Sequence, residues 1–172
     1  MVDARIELVE HDPRWAERFE SERGLLATAL APWLVGPIEH IGSTAVPGLA
    51  AKPVIDIAAP VASLEASHGV IDALRPLGYL HHPYKAEEMH WFCKPSPALR
   101  THHLHVLVQG GVAWHERLAL RDALRADPAL RQAYARLKHE LALRHGGDRE
   151  AYTEGKAPFL RATLERLPLS LR

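Results

Sequence analysis

Aspartate, histidine, lysine and serine occur in this chain at spacings that can assemble a site for phosphate chemistry. The densest stretch runs His40-Ile41-Gly42-Ser43-Thr44-Ala45-Val46-Pro47-Gly48-Leu49-Ala50-Ala51-Lys52-Pro53-Val54-Ile55-Asp56-Ile57. A strand that ends in Gly42-Ser43 and turns at once lets backbone N–H groups approach phosphate oxygens, because glycine has no side chain in the way. Ser43 adds a hydroxyl, and Lys52 supplies a cation a few residues later. Asp56 stands between Ile55 and Ile57, where a core strand would otherwise carry an apolar residue. A carboxylate in that setting needs an arginine or a metal ion beside it, and a structural ion pair meets the need as well as a functional site does. Further along, His103 and His105 are two residues apart and so share one face of a strand, with His102 and Leu104 on the other.

The elements that must position these groups are legible from periodicity. Residues 5–9 alternate apolar with charged and predict a first strand. Asp12-Pro13 opens a helix, aspartate as cap and proline at the first helical position, and Trp15, Phe19, Leu26, Leu30 and Trp33 form its buried stripe. Strands follow at about 38–41 and 53–59, the second apolar on both faces as befits the middle of a covered sheet. Residues 62–76 read as helix and the polar stretch 81–88 as a mobile loop, with His81, His82 and His90 at the surface. Strands at 89–94 and 102–108 flank the turn Pro95-Ser96-Pro97. From Trp114 onward the pattern is helical. Asp127-Pro128 repeats the cap, Gly146-Gly147 ends that helix, and Asp148 caps a last one that Gly155 and Pro158 weaken or kink. One domain over 1–172 is expected, of α/β (α+β) class, with helices packed on a mixed sheet and a helical last third.

Composition narrows the function. The 172 residues carry 21 basic and 21 acidic side chains, so the formal charge is zero, which argues against strong non-specific binding to nucleic acid or to anionic membrane. The charges are unevenly placed, −5 over residues 1–99 and +5 over 100–172, which suits an anionic ligand received by the C-terminal part. A start without a basic-then-apolar layout and the lack of a long apolar run predict a cytoplasmic protein. The single cysteine, Cys93, leaves no internal disulfide and reads as a small buried hydrophobe.

Residues Glu39 to Ile57, His103-Leu104-His105-Val106, Arg121-Asp122, and Tyr152 with Lys156 resemble the GrpB family of the nucleotidyltransferase-fold superfamily. The likeness runs from Leu8-Val9-Glu10-His11-Asp12-Pro13 to Lys156-Ala157-Pro158-Phe159. It implies a nucleotidyltransferase-like mixed sheet and a functional link to dephospho-coenzyme A kinase, which is fused to some relatives. The superfamily pattern is a strand ending in Gly-Ser or Gly-Gly, then two carboxylates one residue apart, then a third on a later strand. Gly42-Ser43 and Asp56 match, but the second carboxylate would fall at Ala58. Mg²⁺-dependent nucleotidyl transfer needs several carboxylates, so one aspartate is too few.

If the histidine strand takes the third-carboxylate position, His103 and His105 face Asp56. That set suits Zn²⁺, Mn²⁺, Fe²⁺ or Ni²⁺ better than Mg²⁺. Alternatively, the imidazoles simply hydrogen-bond Asp56 in a satisfied polar core. On the first reading Asp56, His40 and Lys52 are catalytic, with His40 a fourth ligand or acid-base group. Gly42, Ser43, Lys52, Arg100, Arg121, Lys138, Tyr152 and Lys156 then hold the substrate. Two functions stand: metal-dependent phosphoryl or nucleotidyl transfer or hydrolysis on a phosphorylated small molecule, or a catalytically silent module that binds a nucleotide or coenzyme A precursor.

Overall fold

Asp12 and Pro13 start the first helix as their chemistry requires: the Asp12 carboxylate accepts the Arg14 N–H at 3.0 Å, and Pro13 has helical dihedrals. The computed structural model describes residues 6–167. Helix α1 (Arg14–Ala29) is followed by β1 (Glu39–Ile41), a 3₁₀ turn at Ser43–Ala45, and β2 (Ile55–Val61). Then come α2 (Val70–Ala73), a 3₁₀ turn at Arg75–Leu77, β3 (Leu80–His82), β4 (Met89–Pro95) and β5 (Arg100–Val108). Three long helices end the chain, α3 (Val112–Ala126), α4 (Pro128–Arg144) and α5 (Arg149–Arg166).

The five strands form one mixed sheet in the order β1-β2-β5-β4-β3, in which only β2 and β5 run parallel. Side chains alternate across it. Ile55, Ile57, Ala59, Phe92, Leu104 and Val106 point to one face and pack with Trp15, Phe19, Leu26 and Leu30 of the α1 segment. The opposite face carries Ile41, Ala58, Met89, Trp91, Cys93 and Leu107 under Trp114 of α3. Helices α4 and α5 close the end of that second face, where Tyr134, Leu130, Phe159 and Leu160 meet Val46 and Leu49 of the loop after β1.

Several elements differ from the periodicity. Of the strand expected at 5–9, Arg5 lies outside the described residues, and Val9 makes only an isolated bridge to Ala51. The segment is drawn to the C-terminal helices instead, with the Ile6 N–H on the Gly146 carbonyl and the Ile6 side chain against Leu141 and Tyr152. Residues 62–76 form helix only at Val70–Ala73. Upstream, the Ser63 hydroxyl accepts the Ala66 N–H and the Ser67 hydroxyl donates to the Leu64 carbonyl, local bonds that compete with a helix ladder. The expected loop 81–88 begins as strand: His81 pairs with Phe92 and His82 with Trp91, and the rings pack across the pair. His90 is buried rather than superficial, its Nε2 at 2.9 Å from the Leu64 carbonyl. Helix α5 continues through Gly155 and Pro158. Gly155 is there for a close approach: a Cβ on it would lie 2.5 Å from Leu141 of α4.

Candidate functional site

The parallel pairing of β2 with β5 sets Asp56 beside His103 and Ala58 beside His105. His103 Nδ1 donates to Asp56 Oδ1 at 2.9 Å, and His105 Nε2 stands 3.9 Å from the same oxygen. The other oxygen faces Gly42. A Cβ at that glycine would fall 2.5 Å from Asp56 Oδ2, and its φ of 70° already favours glycine. Sequence reasoning assigned Gly42 to phosphate approach; in the structure its missing side chain makes room for the carboxylate. Burial pushes the Asp56 pKa up, but the hydrogen bond from His103 and the nearness of both imidazoles outweigh it and hold the carboxyl well below the usual range. Burial, helped by the Arg117 charge, pushes His105 down to about 4 against the pull of Asp56. The Asp56 side chain keeps 28% exposure, so a solute can reach it.

A cationic wall faces this carboxylate. Lys52 and Lys156 lie over the Tyr152 ring from 5.0 and 4.7 Å, and Lys138 lies 5.0 Å from the centre of the Tyr134 ring. Lys138, only 2% exposed, donates to the Ala50 carbonyl. Burial and the neighbouring Lys156 and Lys52 push it down to about 7. Burial and Lys52 push Lys156 to about 8, with Asp56 opposing. The turn after β1 packs on α4, with Val46 and Leu49 against Tyr134. Lys52, Lys138, Tyr152 and Lys156, far apart in sequence, therefore cluster on the Asp56 side of the sheet, near Gly42 and Ser43.

Other candidates lie elsewhere or are committed. His40 pairs with Ile57 and so points to the α1 face, where its ring stacks on Phe19 at 4.7 Å and its Nε2 meets the Thr44 hydroxyl at 3.0 Å. Burial pushes it down to about 4. It is on the wrong side of the sheet to join His103 as a ligand. Arg121 ties α3 to β1, bonding Glu39 at 2.6 Å and the His40 carbonyl at 3.1 Å. Arg100 lies over the Trp91 ring at 5.3 Å. Cys93 is fully buried, and burial pushes its thiol up, which suits packing and not attack. Sequence reasoning missed Arg117 and Met89. The Met89 sulfur is 3.3 Å from His105 Nδ1 and 3.6 Å from Arg117 Nη2. The available signal was spacing, since Arg117 lies three residues after buried Trp114 and so on the same side of α3.

Asp56, His103 and His105, the expected metal ligands, are brought together. The carboxylate and imidazoles meet as hydrogen-bond partners, with His103 Nδ1 spent on Asp56 and His105 Nδ1 on Met89. His103 Nε2 is buried without a hydrogen-bond partner. Among the described residues, no three His, Cys, Asp or Glu side chains are grouped as a metal site. Ala58 stands where a second carboxylate would, and Lys156 and Arg117 are close enough for their charges to interact with Asp56.

The family model for GrpB protein matches residues 5–166. The chain belongs to the GrpB family. A UPF0157 protein of Pseudomonas aeruginosa is 41% identical over 169 residues, covering 95% of this chain and 68% of that protein. The UPF0157 protein YqkA of Bacillus subtilis is 33% identical over 161 residues, and the GrpB chain spans about half its length, 47%. A dephospho-CoA kinase of Mycolicibacterium paratuberculosis is 30% identical over 191 residues, with 95% of this chain matched to 46% of that protein. Among solved structures, the conserved protein GrpB from Enterococcus faecalis superposes with a TM-score of 0.83 at 32% identity, covering 92% of this chain and 95% of that one. The GLD-2/RNP-8 complex matches at a TM-score of 0.60 and 13% identity over 95% of this chain and 64% of that one. The GrpB fold is nucleotidyltransferase-like. No helix among the described residues is long and apolar enough to cross a membrane.

Proposed function

We propose that this protein binds a nucleotide or another phosphorylated small molecule at the lysine cluster on the Asp56 side of the sheet, by direct contact with lysines and without a bridging metal. The observation that carries this reading is the convergence of Lys52, Lys138 and Lys156 around Tyr152 and Tyr134, next to a turn bearing the Ser43 hydroxyl. Crowded, half-dried ammonium groups repel one another, and a phosphate between them turns that repulsion into charge-assisted hydrogen bonds, each worth about 1.5–3 kcal/mol. Asp56 would repel the same phosphate, but His103 and Lys156 offset its charge. In this reading Asp56 is a positioning group that fixes the His103 ring and packs on Gly42.

Isothermal titration of EDTA-treated protein with ATP tests it. Binding should persist without metal, weaken at least about tenfold in Lys156→Met, and fall as pH rises through 7–8, where Lys138 and Lys156 lose their protons. The alternative, metal-dependent transfer or hydrolysis at phosphorus, predicts the reverse. Binding or turnover would then appear only with added Zn²⁺, Mn²⁺, Fe²⁺ or Ni²⁺ and vanish in His105→Ala, and that result would overturn the proposal. The link to dephospho-coenzyme A kinase makes a coenzyme A precursor the second titrant.

A further inference from the structure

The three lysines of the cluster are held differently. Lys138 is 2% exposed and donates to the Ala50 carbonyl, so its amine is both enclosed and occupied. Lys52, in the loop before β2, lies 5.0 Å from the centre of the Tyr152 ring. Lys156 stands one turn after Tyr152 on α5 and so shares its side of the helix, with Nζ 4.7 Å from the centre of the same ring. Among the described residues the Lys156 ammonium makes no hydrogen bond and no ion pair, Asp56 included. Its side chain is half-buried, and its nitrogen stays open to solvent.

An ammonium with no acceptor, beside a second ammonium on the same ring, is poorly placed to keep its proton, and a lysine that is part-desolvated next to another cation is activated as a nucleophile. The groups that face it are Lys52 from the loop before β2, Asp56 from β2 and Lys138 from α4. Burial and then Lys52 push Lys156 down to about 8, with Asp56 opposing. Against an amine at the ordinary 10.5, this one is neutral on the order of 200-fold more often at pH 7.5. Its weaker basicity gives back only about ten- to twentyfold, taking the sensitivity of thiol nucleophiles as the guide.

We infer that Lys156 is a nucleophilic amine that takes the acyl group of an acyl phosphate, with Lys52 beside it to receive the phosphate. This rests on the lysine cluster being a phosphate site. The neutral Nζ uses its lone pair to form a bond to the acyl carbon. The bond from that carbon to the phosphate oxygen breaks, phosphate leaves with the electron pair, and the surplus Nζ proton passes to water. The amide left on Lys156 carries no charge, so acylation also weakens the site for anions.

Treating the full chain with acetyl phosphate and following each lysine by peptide mass spectrometry tests the inference, with exposed Lys85 as the reference. At pH 7.5 Lys156 should be acetylated at least about tenfold faster than Lys85, and inorganic phosphate should slow Lys156 but not Lys85. The rate at Lys156 should level off above pH 8, whereas that of an ordinary lysine climbs towards 10.5. The acetyl ester of N-hydroxysuccinimide, which has no phosphate, reads the amine alone, and with it Lys156 should again outpace Lys85. In Lys52→Met that ester should acetylate Lys156 about threefold more slowly, since the neighbouring charge is gone, while an unchanged Lys85 rate and circular dichroism spectrum report a folded variant. Lys156 reacting no faster than Lys85 with either reagent overturns the inference, while the ATP titration still decides the phosphate site. An excess at Lys156 with the ester but none with acetyl phosphate overturns the inference and the phosphate site together.

Discussion

Replacing Lys138 with methionine should make the protein more stable and a poorer anion binder. The ammonium is 2% exposed, and burial with the nearby Lys156 and Lys52 lowers its pKa from 10.5 to about 7. At about 1.4 kcal/mol per pKa unit, that fall means that keeping the charged form in the folded state costs about 4–5 kcal/mol. Removing the donor leaves the Ala50 carbonyl without it, which returns about 1–3 kcal/mol. The net expectation for Lys138→Met at pH 7 is a gain of about 1–4 kcal/mol. The sign follows from proton counts: below pH 7 both folded and unfolded wild type carry the proton and the full penalty applies. Between pH 7 and 10.5 only the unfolded chain holds it, so wild-type stability climbs with pH and the advantage of the variant drains away. Urea unfolding at pH 7, 8.5 and 10 measures this, and ATP titration measures the cost to binding. A variant that is less stable than wild type at pH 7, with undiminished ATP affinity, would refute the claim that this lysine is held at the expense of stability for an anion.

Gly42→Ala should destabilise by about 1–3 kcal/mol, because its Cβ meets Asp56 Oδ2 at 2.5 Å on top of the strain of a positive φ. Gly48→Ala, with a φ of 75° and nothing within 4 Å, reports the backbone strain alone, and equal losses in urea unfolding would show that the carboxylate contact counts for nothing. His40 and His105, both lowered from 6.5 to about 4, bind protons in the unfolded chain first, so stability should fall as pH drops from 6.5 to 4. Each contributes a slope of up to about 1.4 kcal/mol per pH unit. His40→Gln should therefore remove roughly half of the slope due to this pair, as seen in unfolding midpoints across that window. On the opposite face, Tyr79→Phe removes the hydroxyl that donates to buried Glu22 at 3.0 Å while Lys94 still holds the carboxylate at 2.6 Å, and should cost about 1–2 kcal/mol by thermal or urea unfolding.

The parts of the fold that were readable are those governed by local rules. Asp12-Pro13 and Asp127-Pro128 start helices because cap and proline act within one turn, and the strands of Asp56 and of His103 with His105 follow from apolar runs and alternation. The α2 region misled because its serine hydroxyls bond locally, and His81 and His82 read as loop because their strand is stabilised by rings on β4. Alternation also placed His103 and His105 on one face, but no spacing rule could put them beside Asp56, since that depends on which strand is parallel to which.

Sequence by itself determined the capped helices, the strands of Asp56 and of His103 with His105, the lone carboxylate with alanine where a second would stand, and the residues that make the chain a GrpB relative. Tertiary structure alone decided that Gly42 yields space to Asp56, that His40 turns to α1, that Arg121 is spent on β1, and that three lysines from the loop before β2, α4 and α5 crowd around Tyr152 and Tyr134. The physical reason is range: caps and periodicity are settled within a turn or a pleat, whereas charge and burial at a site are sums over side chains that only packing brings within a few ångströms.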